Sequence, residues 1–359
     1  MCNKTLCMPM VTVLLPTYHS EMYLQQALDS VWAQTFRDFE ILIVNDDESK
    51  DMTRILQNNA CDQLRVISGR NQGLADALNL GIEQARGKYI ARFDADDLMV
   101  PERLEKQVAF MEENKDVAVC GGWQQYFGLS TFLHAPSADA EQCKANLLFR
   151  CDLCHSTLML RRDFFAQNQL RYSSDYAAED FELWTRVLDY GEITNLPMVL
   201  GLYRETGRSI TDNKKEQLIV ENSEIVAKTL RRNLGINLSD EQKKYFAGWI
   251  NPFYTRKTVY IGDARENVWE DLKQLMQNII SANEEKQYYD KQALCRAIHS
   301  EWLTLRYNLS FQTSKSIEVN NTFESLSVLK AFYLKMLSFS CNYRGIKRKI
   351  RKLKSILKK

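Results

Sequence analysis

Short apolar runs recur through the first part of the chain, at Val11 to Leu15, Phe39 to Val44, Leu64 to Ile67, Tyr89 to Phe93 and Val117 to Cys120. Stretches with helical spacing separate them, and this alternation predicts βαβ units around a mostly parallel sheet. Beyond residue 215 the spacing changes. Val268, Leu272, Leu275, Met276 and Ile279 fall on one helical face, as do Leu294, Ile298, Trp302 and Leu305. Ser239 and Gln242 have capping-box spacing, which predicts another helix start. Ten of fourteen glycines and five of six prolines precede residue 215, so turns punctuate the first part and not the second. A boundary is expected between Arg208 and Lys215. The pattern predicts an α/β domain over residues 1–215, a helical module over 216–343 and a distinct tail over 344–359.

Composition narrows the class. Apolar residues make up 45% of the 359 and charged residues 26%, a globular balance that excludes long disorder. The most apolar late stretch, Ser327 to Phe339, is interrupted by Lys330 and Lys335, so no spanning helix is expected. Val11 to Leu15 is too short for the core of a signal peptide, and the protein is expected to stay where it is made, in the cytoplasm. The nine cysteines are scattered from Cys2 to Cys341, which fits free thiols better than a disulfide framework.

The net charge of +1 hides an asymmetry. Arg344 to Lys359 holds nine basic residues and no acid, leaving the remainder eight charges negative. Ile346, Ile350, Leu353 and Leu357 recur there at helical spacing. Such a helix can lie on an anionic membrane surface, here the inner face of the plasma membrane. A solvated basic end or a nucleic-acid-binding tail is the other reading; the membrane is the expected partner, and nucleic acid is not.

Several acidic groups sit where strands should end. The first strand runs into Pro16, Thr17, Tyr18, His19 and Ser20 without a glycine, so phosphates must be held by something other than a glycine-rich loop. The second ends in Asn45, Asp46 and Asp47, at the edge where open α/β sheets bind ligands. A carboxylate there can accept hydrogen bonds from a base or ribose; a solvated turn that caps the next helix would look the same. The fourth run delivers Asp94, Ala95, Asp96 and Asp97. On extended backbone, Asp94 and Asp96 would share a side and could converge on one cation while Asp97 points away. An acidic turn before Pro101 is the alternative. Glu179 and Asp180 precede the amphipathic stretch Phe181 to Leu188, either as functional carboxylates at a helix N-terminus or as ordinary caps. Cys151-Asp152-Leu153-Cys154-His155 spells a c-type haem pattern, yet haem attachment needs export, and a zinc site would need a second pair of ligands.

Taken together and in order, VTVLLPTYHSEMYLQQALDSVWAQTF, FEILIVNDDESKD, NQGLADALNLGIEQARGKYIARFDADD, HSTLMLRR, AAEDFELWTR and YRETGRSIT resemble the family-2 glycosyltransferases of the GT-A type. The resemblance covers about the first 215 residues. It implies a Rossmann-like nucleotide-diphospho-sugar transferase domain followed by the helical module, and inverting transfer from a UDP-sugar assisted by Mn²⁺ or Mg²⁺. By that resemblance Pro16 and Tyr18 flank the nucleobase, Asp47 reads the uracil edge and Asp46 lies near the nucleoside. Asp96 is implied as the principal metal ligand with Asp94 beside it, and Asp180 as the base with Glu179 next to it. His155 matches a histidine that opens the strand before the acceptor loop, which displaces the haem reading. Glu48 stands where glycine is common and Leu78 where arginine is common. Within the family, ARFDADD, LMLRR and LRYSSDYAAED look most like bacterial lipo-oligosaccharide and O-antigen transferases, especially β-1,3-N-acetylglucosaminyltransferases. A saccharide or lipid-linked saccharide acceptor follows. The Gln-x-x-Arg-Trp signature of processive synthases is absent, which implies one sugar per encounter. A catalytically inactive nucleotide-sugar-binding assembly protein is the competing reading.

Overall fold

A computed structural model describes residues 8–47, 59, 61–206, 214–247 and 268–312. Glu48 to Asp51, Arg208 and the basic tail over 344–359 lie outside the described residues. The chain divides into two compact units. One holds the chain through Gln124 together with Pro136–Lys144 and Cys151–Arg204; the other holds Gln125–Ala135, Ala145–Arg150 and the chain from Glu205 on.

In the first unit the apolar runs become β1 (Val11–Thr17), β2 (Phe39–Asn45), β3 (Leu64–Ser68) and β4 (Tyr89–Arg92). They pair in parallel in the order β3-β2-β1-β4, with Leu14 of β1 opposite Leu42 and Arg92. The later strands are β5 (Leu98–Met99), β6 (Val117–Gly128), β7 (Leu133–His134), β8 (Met159–Arg161) and β9 (Glu192–Glu205); beyond β4 the order continues β8-β6-β9-β5, with β7 paired to β6 off that path, and the expected mostly parallel sheet proves to be mixed. There β8 runs antiparallel to β4 and to β6, and β5 runs antiparallel to β9. Parallel neighbours require a crossover connection. β8 enters from a 3₁₀ turn, His155–Thr157, beside the end of β4 and runs against that strand, with Ala91 opposite Met159.

Alternation along β1 sorts the core into two faces. Val11, Val13 and Leu15 join a buried cluster with Leu24, Ala27, Leu28 and Val31 of α1 (Glu21–Trp32) and with Leu104, Val108 and Met111 of α3 (Arg103–Glu113). Leu14 faces the other way, onto α2 (Leu74–Gln84) at Gly81. Three shorter helices follow: α4 (Ala140–Asn146), α5 (Arg162–Gln167) and α6 (Glu179–Val187).

The second unit is helical as the spacing predicts, with α7 (Lys215–Leu234), α8 (Asp240–Ala247), α9 (Val268–Lys286) and α10 (Lys291–Gln312). Leu272, Leu275, Met276 and Ile279 are buried along α9, as are Leu294 and Ile298 on α10, with Trp302 half-buried. The side chains of Val268 and Leu305 lie outside the described set. Ser239 and Gln242 form the reciprocal capping box: each backbone N–H donates to the other's side-chain oxygen at 3.1 Å. Gly235, at φ 72°, closes α7 in the left-handed conformation that glycine adopts freely. No described helix is long and apolar enough to cross a membrane.

Two glycines set how closely the layers of the first unit approach. A Cβ on Gly81 would lie 2.2 Å from the Leu14 side chain, whereas one on Gly87 would lie 2.4 Å from the Thr12 backbone nitrogen. A side chain can turn aside and a strand backbone cannot. Gly87→Ala is therefore expected to cost ~2–3 kcal/mol and Gly81→Ala about half that, read from urea unfolding midpoints. The reverse order would show that Gly87 has room the backbone geometry denies it.

Candidate active site

Because β1, β2 and β4 are parallel, their carboxyl ends lie along one edge of the sheet, and the acidic segments collect there. Pro16 is buried inside β1, while Tyr18 just beyond it is 59% exposed. His19 follows at φ 50°, its ring 4.1 Å from that of Tyr18 and its Nδ1 3.2 Å from Oδ2 of the buried Asp47. Ligand atoms of His19, Glu21 and Asp47 lie within 4.8 Å of one another.

Asp46 is occupied differently. Its Oδ1 accepts the backbone N–H of Asn71 at 2.7 Å, and its Oδ2 that of Gly73 at 3.0 Å. Both donors sit at positive φ, 52° and 94°, which turns their amides inward. Asparagine and glycine tolerate that backbone best, so the Asn-Gln-Gly stretch is a loop that Asp46 holds against the sheet edge.

The Asp94–Asp97 segment is a turn, and this corrects the extended-strand premise. Strand β4 ends at Arg92, and the Asp97 N–H donates to the Asp94 carbonyl at 3.3 Å. Asp94 and Asp96 are half-buried and close enough to repel one another, whereas Asp97 is 1% exposed and turned inward. The Asp97 carboxylate accepts the Arg204 backbone N–H at 2.9 Å and the Gln124 amide at 3.3 Å. Arg204 grips the same turn from outside: its Nε donates to the Asp96 carbonyl at 2.8 Å and its guanidinium lies 4.5 Å over the Tyr23 ring.

Glu179 and Asp180 occupy the first turn of α6, with Ala178 at the cap position, so neither is the N-cap residue. Asp180 Oδ1 accepts the Phe181 N–H at 2.6 Å. Its Oδ2 lies 3.7 Å from the Cys151 thiol and 3.9 Å from His155 Nδ1. Among the described residues, no group able to hold a metal includes Cys151, Cys154 or His155. Leu78 is fully buried in α2 and presents nothing polar to this edge.

Residues 12–171 match the profile of Glycosyl transferase family 2. The chain is 28% identical over 243 residues to an uncharacterized glycosyltransferase of Haemophilus influenzae, covering 63% of this chain and 73% of that one. It is 29% identical over 242 residues to the putative glycosyltransferase EpsE of Bacillus subtilis, covering 65% and 85%. The crystal structure of Staphylococcus aureus TarS 1-349 superposes with a TM-score of 0.53 at 17% identity, over 87% of this chain and 94% of that one. The same protein in complex with UDP-GlcNAc gives 0.52. This likeness speaks for the GT-A fold.

The electrostatics of this edge turn on a buried cation that the sequence reading passed over. Arg92, 2% exposed, pairs through Nη1 with Asp94 Oδ2. Burial pulls its pKa down, but Asp94, Tyr172 and Glu179 more than offset this, and the guanidinium stays charged. Its position was legible as one charge at the end of the apolar run from Tyr89. Arg103, fully buried on α3, left no such signal, because polar residues are ordinary on an amphipathic helix. Burial, with Arg92 nearby, lowers its pKa to about 9. Burial raises Asp96 to about 6, with Asp94 adding to it. Two crowded carboxylates are hard oxygen donors whose repulsion a divalent cation would relieve, so Asp94 and Asp96 fit Mn²⁺ or Mg²⁺.

Burial likewise raises Glu179 to about 8, with Asp180 next in effect, and it raises Asp180 too. The sign of the consequence follows from linkage. Between the ordinary glutamate pKa and about 8, folded Glu179 keeps a proton that the unfolded chain has released, so stability falls as pH rises through that window. Glu179→Gln removes the titration. Its thermal midpoint should stand near wild type at pH 5 and above it at pH 8, by several degrees. Equal gaps at the two pH values would place Glu179 in water.

Proposed function

We propose that this chain is an inverting glycosyltransferase that moves one sugar from a UDP-sugar, with UDP-GlcNAc the first donor to test, onto a saccharide acceptor of cell-surface glycan biosynthesis. The observation that carries the reading is the placing of Asp94 and Asp96 on a turn at the end of β4, with Arg92 of that strand coupled electrostatically to Glu179 and Asp180 on α6. TarS, whose fold this chain shares, was crystallised with UDP-GlcNAc, which supports the donor class.

In this reading Tyr18 offers an exposed aromatic face to the base, and Asp47 accepts its N–H; a base lacking that donor would leave the carboxylate unpaired. Asp46 shapes the pocket by holding the Asn71–Gly73 loop. Asp96 and Asp94 would hold the divalent ion, which supplies Lewis-acid neutralisation of the diphosphate leaving group. Asp180 takes the proton of the acceptor hydroxyl as it attacks the anomeric carbon from the face opposite the diphosphate, and a single displacement inverts that centre. With its pKa raised by burial, Asp180 is a stronger base than a solvated aspartate. Arg92 keeps two acidic pairs compatible within one site.

UDP release with Mn²⁺, UDP-GlcNAc and a panel of saccharide acceptors tests this directly. Asp180→Asn should lose ~10²-fold or more in kcat with UDP affinity nearly unchanged, and Asp96→Ala should lose metal-dependent turnover. A wild-type chain that binds UDP but never releases it from any donor is the assembly protein instead.

The tail extends the proposal to location. From their sequence pattern we assign residues 344–359 to an anionic bilayer at the inner face of the plasma membrane, where a lipid-linked acceptor lies. Removing them should abolish co-sedimentation with phosphatidylglycerol liposomes and spare turnover on a soluble acceptor. Sedimentation that persists dismisses the tail as the anchor.

A further inference from the structure

The Cys151-to-His155 segment is not absorbed by the roles above, yet both of its ends reach one atom. The Cys151 thiol and His155 Nδ1 approach the same Oδ2 of Asp180, at 3.7 and 3.9 Å. We propose that Cys151 and His155 are positioning residues for the base, holding the Asp180 carboxylate so that Oδ2 keeps its orientation while it receives the acceptor's proton. This rests on Asp180 being the base.

The geometry behind His155 makes the contact directional. Its Nε2 lies 2.9 Å from the Tyr172 hydroxyl, and its ring packs edge-on against Trp184 at 5.9 Å. Tyr172 is fixed in turn by a double hydrogen bond with Asn79 of α2: its N–H donates to the Asn79 oxygen and its carbonyl accepts from the amide, both at 2.9 Å. A sheet-packed helix thus sets the imidazole through one tyrosine. Burial, aided by Arg92, holds the ring neutral. A neutral imidazole has one N–H, and a carboxylate facing Nδ1 favours the tautomer with the proton there. The Tyr172 hydroxyl then donates to Nε2. Cys151 cannot replace Asp180 as a reactive group, because burial pushes its thiol up and the neighbouring carboxylate adds to this. It stays protonated, and the S–H is a weak donor to Oδ2.

The groups facing Asp180 come from four places. Glu179 lies on its own helix, Arg92 on β4, Cys151 and His155 on the segment before β8, and Tyr172 on the loop before α6. Removing a donor to the ionised form makes the carboxylate easier to protonate, so the acid limb of the kcat–pH profile must move upward.

The experiment uses the full chain with Mn²⁺, UDP-GlcNAc and an acceptor that supports turnover, over pH 5.5 to 9. Cys151→Val and His155→Phe fill their volumes without a donor. Each should raise the acid-limb midpoint by ~0.5–1 pH unit and lower kcat at pH 7 by ~3–10-fold, with the donor KM unchanged. Cys151→Ser and His155→Asn return a donor near the lost one and should recover most of the shift. Far-UV circular dichroism and UDP calorimetry confirm folding, and if an apolar variant fails to fold its donor-restoring partner is compared with wild type at pH 6, where a rotated carboxylate would already cost activity. Wild-type profiles in all four variants beside an inactive Asp180→Asn would overturn the positioning role and leave the base in place. An active Asp180→Asn would remove the base reading, and this proposal with it.

Discussion

A fully buried guanidinium holds together the point where the sheet changes from parallel to antiparallel. Arg103 donates from Nη2 to the carbonyls of Arg92 and Leu158, from Nη1 to that of Ser156 and from Nε to Gln107 Oε1. Those carbonyls belong to the end of β4, to the 3₁₀ turn beside it and to Leu158 just after that turn, whose oxygen also accepts the Arg92 N–H at 2.9 Å. Gln107, one helical turn on, donates to the carbonyls of Thr157 and Cys120. One face of α3 therefore donates to five backbone carbonyls, of Arg92, Cys120, Ser156, Thr157 and Leu158. The turn bearing Asp94 and Asp96 and the segment bearing His155 both start from this anchor.

Above it the charges are arranged so that none stands alone. Arg92 pairs with Asp94 and is felt by Glu179 and Asp180, so its one positive charge serves two acidic pairs that would otherwise repel. Burial raises the pKa values of Asp96 and Glu179, and their acidic neighbours Asp94 and Asp180 add to it. Arg204 contributes through the backbone instead, fixing the Asp96 carbonyl and the Asp97 carboxylate while it packs on Tyr23.

Much of the fold was readable from local pattern. The strands β1 to β4 lie within a residue or two of the apolar runs, and the buried positions of α9 and α10 are the ones their spacing picked out. Of the antiparallel half, only the start of β6 coincides with a predicted run, Val117 to Cys120. β8 is three residues long, too short to show a period, and the 14 residues of β9 mix buried, half-buried and exposed positions without regular alternation. Of the acidic residues, position at a strand end could be inferred, but use could not: Asp46 and Asp47 are adjacent, yet one is consumed by two loop amides and the other faces His19.

By itself the sequence determined which stretches would be buried and with what period, and that acids would follow β2 and β4. Burial and period depend on neighbours along the chain. Only the tertiary structure decided which carboxylates the Arg92 guanidinium serves, which one a loop consumes, and that a haem-like Cys-x-x-Cys-His spacing ends beside the Asp180 carboxylate. Those outcomes depend on pairs such as Arg103 with Leu158, or Tyr172 with Asn79, that are far apart in the chain. No local pattern carries them, because a hydrogen bond between distant residues is specified only once packing has brought its donor to its acceptor.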